Sequence, residues 1–191
     1  GELNIIADNE GLDSEMHLTV NGGKINIFSG NDGINTNEDG VSVTTVNGGE
    51  LTVTVTGETG EGDGIDSNGW LIINGGTLEA YACADSGDFG LDADLGVQIN
   101  GGTVIATGNM LDRIEDGGQT HLVFTFAQRQ APGVYTLKNA AGEAVAECTA
   151  GNAFQYLILS TPELTAGNYT LWSGDTQFEG MAGLGGLVGP I

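Results

Sequence analysis

Basic residues are almost absent. Lys24, Arg113, Arg129 and Lys138 face 26 acidic side chains, giving a net charge of −22 over 191 residues. Phosphate backbones are held by clustered Lys and Arg, so this balance argues against a nucleic-acid partner and an anionic membrane surface. No apolar run of about 18 residues occurs, which excludes a transmembrane helix. The opening "GELNIIADNE" has no cationic start followed by an apolar stretch and does not read as a signal peptide. Cysteine is limited to Cys83 and Cys148, which form no metal-binding spacing and leave two readings open, one disulfide or two separate thiols. His17 and His121 are isolated, so zinc is not expected. Proline is scarce, at 3 residues, but glycine reaches 34 without a Gly-X-Y period, which rules out collagen.

The glycines follow a repeat. "NGG" occurs at 21–23, 47–49, 74–76 and 100–102, at intervals of 26, 27 and 26 residues. A second signature keeps the same phase: "GLDS" at 11–14, "GINT" at 33–36, "GIDS" at 64–67 and "GLDA" at 90–93. After each NGG, apolar residues alternate at Ile25/Ile27, Leu51/Val53, Leu78/Ala80 and Val104/Ala106, which is the period of a strand. No stretch keeps a helical period. Three short strands and three turns per coil predict an all-β chain, a parallel β-helix of about four to five coils over residues 1–109. Asn21, Asn47, Asn74 and Asn100 are then expected to stack as an amide ladder, or to serve only as turn formers. The register places Leu3 on Ile25 and Ile5 on Ile27, so the chain is expected to enter in mid-coil.

Past residue 109 the repeat fades. Segments such as "HLVFTF", "GVYTLKN", "FQYLILS" and "NYTLWSG" between turn signals predict antiparallel strands over 110–179, a C-terminal β cap or side sheet. An uncharged, glycine-rich tail covers 180–191 and is expected to dock on its own chain or a neighbour.

The acids gather on one edge of the coils. Two residues after the repeat glycine stand Asp13, Asn35, Asp66 and Asp92, and four after it the last coil carries Asp94. Asp32, Asp63 and Asp88 lie just before it. Like charges stacked about 4.8 Å apart repel. A Ca²⁺ ion takes six to eight oxygens at about 2.3–2.6 Å, so it can be shared between carboxylates of adjacent coils. Calcium is therefore expected on this edge, with an acidic, water-exposed turn edge as the plain alternative.

The motifs "DGIDSNGWLIINGGTLEA" and "FGLDADLGVQINGGTVIATG", with "FQYLILSTPELTAGNYTLWSG" further on, resemble a family of secreted bacterial carbohydrate-binding β-helix proteins. The resemblance spans about residues 8–174. It implies a right-handed, pectate-lyase-like helix with calcium between coils, an extracellular location, and binding to cellulose or acidic sugars without lyase chemistry. It makes Asp32/Asn35, Asp63/Asp66 and Asp88/Asp92 the ligand pairs. Two departures stand out: Asn35 replaces an acid, and Phe89 stands where an Asp precedes the glycine.

The expected function is non-catalytic polysaccharide binding. Lys24 is the only basic residue of the repeat, a poor basis for lyase chemistry, and stacked acids are not specific enough to indicate hydrolysis. Phe28, Trp70 and Tyr81 are the aromatic candidates for sugar contact. By strand parity Phe28 and Tyr81 point outward, either as a binding strip or as packing beneath the C-terminal sheet, where Cys83 and Cys148 could meet. The alternative function is a filament subunit, self-associating end to end through the first coil and the tail.

Overall fold

The computed structural model describes residues 1–165 and 167–178, and these are all-β, with no helix among them. The stretch 180–191, expected to dock, lies outside the described residues. The chain winds through about four turns of a β-solenoid. Its first coil is β1 (Glu2–Ala7), β2 (Leu12–Ser14) and β3 (His17–Val20). The second is β4 (Lys24–Ser29), β5 (Ile34–Thr36) and β6 (Val43–Val46), and the third is β7 (Glu50–Val55), β8 (Ile65–Ser67) and β9 (Trp70–Ile73). The fourth comprises β10 (Thr77–Tyr81), a single bridge at Leu91 and β11 (Gly96–Ile99), after which β12 (Thr103–Gly108) opens the next turn.

Equivalent strands pair in parallel with the register of the repeat. Leu3 lies on Ile25 and Ile5 on Ile27, as the repeat predicts. Asp13 lies beside Asn35, and Asn35 beside Asp66. Inward residues of all coils, among them Ile27, Val53, Leu78, Ala80, Leu71 and Ile99, form one buried column of apolar side chains.

The NGG turns have two separable jobs. The second glycine of each carries the left-handed backbone, with φ between 84° and 94° at Gly23, Gly49, Gly76 and Gly102. The asparagine takes no positive φ. It builds the ladder instead: Asn47 Nδ2 donates to Asn21 Oδ1 at 2.9 Å, Asn74 to Asn47 at 2.8 Å and Asn100 to Asn74 at 2.9 Å. The repeat glycine before the Ile/Leu–Asp pair is needed for a different reason. A Cβ on Gly64 would lie 2.4 Å from Gly90 O and 2.9 Å from Ala80 Cβ, so the turn closes too tightly for any side chain.

Beyond 109 the coil path runs further than the fading repeat suggests. Met110 bridges Phe89, Ile114 bridges Val97, and the Gln119 N–H donates to Ile99 O, the next position up the asparagine ladder. The parallel sheet then ends by reversal. The strand β16 (Phe154–Ser160) inserts antiparallel between β12 and β13 (His121–Gln130), extending the long sheet to seven strands. A second, antiparallel sheet of β14 (Gly133–Asn139), β15 (Ala144–Ala150), β17 (Tyr169–Ser173) and β18 (Thr176–Gln177) completes the C-terminal cap. It encloses a second core in which Phe124, Phe126, Tyr135, Phe154 and Leu171 pack with Tyr81 and Ile105 from the outward face of the solenoid. Cys83 and Cys148 are both buried and free, so of the two readings the structure shows separate thiols.

Candidate functional site: an acidic corner and an outward sheet face

The turn from the long sheet into the β2–β5–β8 sheet is where backbone and charge converge. The repeat glycine lets this turn press against the core, and on the third and fourth coils Asp63, Asp66 and Asp92 are drawn partly out of solvent together. Asp63, Asp66 and Asp92 each offer a carboxylate oxygen, and the three oxygens lie within 4.8 Å of one another. Asp63 and Asp66 flank Gly64-Ile65 on one coil, and Asp92 comes from the next.

The electrostatics of the corner are unfavourable for three bare carboxylates. Burial, then repulsion by Asp32, Asp92 and Asp66, pushes the Asp63 carboxyl up to about 8. Burial, then Asp32, Asp92 and Asp94, pushes Asp66 up to about 7. Asp92 rises to about 6 through burial and its neighbour Asp112. Asp32 is also raised, first by burial, despite accepting the Asp63 N–H at 2.7 Å. Asn35 stands beside Asp66 on the neighbouring strand, and its Oδ1 is buried without a hydrogen-bond partner. Buried acceptors without donors are costly. An all-oxygen set of crowded carboxylates and an unpaired amide oxygen fits a hard divalent cation and offers nothing to a soft one.

The other expected ligands separate from this group. Asp88 is committed to its own loop, accepting from the Gly62 N–H at 2.8 Å and from the Ser86 hydroxyl. Asp13 is exposed and accepts from Asn37 Nδ2 at 2.8 Å. Asp94 is exposed on the solvent side. Phe89 occupies the step above Asp63, and its N–H donates to Asp63 Oδ1 at 2.6 Å.

The sequence pattern did not single out Asp112. It extends the Asp column by one coil, beside Asp92, and accepts the Ala93 N–H at 2.9 Å. The signal was present as Leu111-Asp112, an echo of Leu91-Asp92 without the preceding glycine.

The aromatic candidates fall in three environments. Tyr81 is only 3% exposed, packed in the second core with its hydroxyl donating to Glu79 Oε2 at 2.9 Å. The expected sugar contact at Tyr81 is thereby corrected: the C-terminal sheet covers the ring. Trp70 is half-buried on another sheet, between Val43 and Gly96. Phe28 stands in the same outward column as Tyr81 but remains 46% exposed.

Fold and corner together define a parallel β-solenoid with a polyanionic turn edge and a partly covered outward face. The family model that matches residues 1–126, essentially the solenoid, is described as carbohydrate-binding domain-containing protein, and the chain belongs to that family. No curated protein and no solved structure matches the chain.

Proposed function

We propose that this protein is an extracellular, non-catalytic polysaccharide-binding module whose coils are pinned by calcium at the acidic corner. The observation that carries the binding role is that the carbohydrate-binding family matches residues 1–126, the solenoid with its acidic corner and outward face. Asp63, Asp66 and Asp92, with Asn35 Oδ1, would hold the ion. Its two positive charges would offset the repulsion that raises the three carboxyls.

Raised carboxyls are also what a glycosidase needs for its acid. The spacing argues against that use here. Paired glycosidase carboxyls stand about 5–9.5 Å apart, with the scissile bond between them. Three oxygens within 4.8 Å of one another fall short of that range, and a cluster of three suits one ion better than an acid paired with a nucleophile.

Head-to-tail stacking is the second reading. Pull-down on insoluble and soluble polysaccharides, in calcium and in EGTA, tests the binding role, and retention on none of them would refute it. Sedimentation velocity over a range of concentrations tests stacking in the same preparations.

A further inference from the structure

The outward face of the long sheet is roofed over only part of its length. One column runs Ile6, Phe28, Thr54, Tyr81 in strict register along the solenoid. Tyr81 lies under the C-terminal sheet, whereas Ile6 is 89% exposed. The margin of the roof falls at the third rung. A Cβ on Gly151 would lie 3.4 Å from the Tyr81 ring and 3.8 Å from Thr54 Cγ2. There, too, Asn152 Nδ2 donates to Val55 O at 2.8 Å.

Two residues along each strand is a second outward column, Asn4, Asn26, Thr52, in which Asn26 Nδ2 donates to Asn4 Oδ1 at 2.8 Å. A third holds Glu2, Lys24 and Glu50. Over β1, β4 and β7 the face is open, a shelf spanning three rungs or roughly 10 Å. It has an apolar strip one residue wide beside a row of amides and a hydroxyl, and the roof stops it at one end.

We propose that this shelf, and not the Trp70 face, binds the glycan, and that it selects a neutral, extended chain. The inference rests on the carbohydrate-binding reading above. A sugar ring presents C–H groups on its faces and hydroxyls at its rim. The strip of Ile6 and Phe28 matches the first, and Asn4, Asn26 and Thr52 match the second. A protein partner would want a wider apolar centre than a single column. Selection against acidic chains follows from charge. Lys24 sits between two glutamates, and the chain's net charge of −22 repels a polyuronate.

The test is isothermal titration of the full chain in calcium with cellohexaose, mannohexaose and hexagalacturonate. Wild type, Phe28→Ala, Asn26→Ala and Trp70→Ala are compared, and thermal melts verify that each variant is folded. A neutral hexasaccharide should bind more tightly than hexagalacturonate. Phe28→Ala should weaken it about tenfold or more, and Asn26→Ala by a smaller factor. Wild-type affinity in Phe28→Ala overturns the proposal, as does preference for hexagalacturonate. Loss of binding in Trp70→Ala alone moves the site to the other sheet and leaves the carbohydrate-binding reading standing. No binding of any of the three by wild type removes both.

Discussion

The Phe89 N–H donates to Asp63 Oδ1 across 2.6 Å, one coil above the Asp63 N–H that donates to Asp32 Oδ1 across 2.7 Å. The carboxylates before Gly33 and Gly64 thus cap the backbone of the coil above them. At Phe89 the series ends, because phenylalanine has no oxygen to offer the next coil. The acids that remain unneutralised concentrate between the third and fourth coils, at Asp63, Asp66 and Asp92.

The corner predicts an unusual pH response. A carboxyl raised in the folded state binds protons there that the unfolded chain has already released. Its stabilising contribution is complete below about pH 4 and is lost as pH rises through the folded values of about 6 to 8. In EGTA, urea midpoints should fall between about pH 5 and pH 8.5, and calcium should flatten or reverse the trend. Midpoints in EGTA that climb over this interval would contradict the assignment.

Neutralising one member of the corner should help the metal-free protein. Asp66→Asn removes repulsion at Asp63 and Asp92, so in EGTA it should melt at or above the wild-type temperature. In calcium it should melt below wild type. A variant that is destabilised equally in both conditions would show Asp66 to be only a packing element.

The asparagine ladder has a measurable value. Asn74 both donates to Asn47 and accepts from Asn100, so Asn74→Ala breaks two bonds. Each such bond contributes roughly 0.5–1.5 kcal/mol net, and the expected loss by urea denaturation is about 1–3 kcal/mol. Asn21→Ala, at the end of the ladder, should lose about half as much.

Both thiols should be silent in the folded protein. Cys83 and Cys148 are buried, and burial followed by the charge of Glu79 pushes Cys148 up to about 12. A thiol-reactive chromophore at pH 8 should label neither in the native state and both in urea. Rapid labelling of the native chain would contradict the burial.

The solenoid was legible because its rules are local and repeated. NGG every 26 or 27 residues and period-two alternation fixed the register down to Leu3 on Ile25. The acid column was legible for the same reason. What the sequence did not disclose depends on where one element stops covering another. Phe28 and Tyr81 have the same parity, and only the reach of the C-terminal sheet buries one and leaves the other open. The antiparallel insertion of β16 between β12 and β13 is a long-range pairing with no short-range signal. Asp112 escaped because no glycine stands directly before Leu111-Asp112 in the sequence.

Calcium titration with paired melting curves tests the central claim most directly. Wild type should bind calcium with loss of signal in Asp66→Asn. At calcium about 100-fold above its dissociation constant, linkage gives about 2.7 kcal/mol, or roughly 5–10 °C in Tm for a domain of this size. No heat of binding, and melting curves that superimpose in calcium and EGTA, would contradict the account.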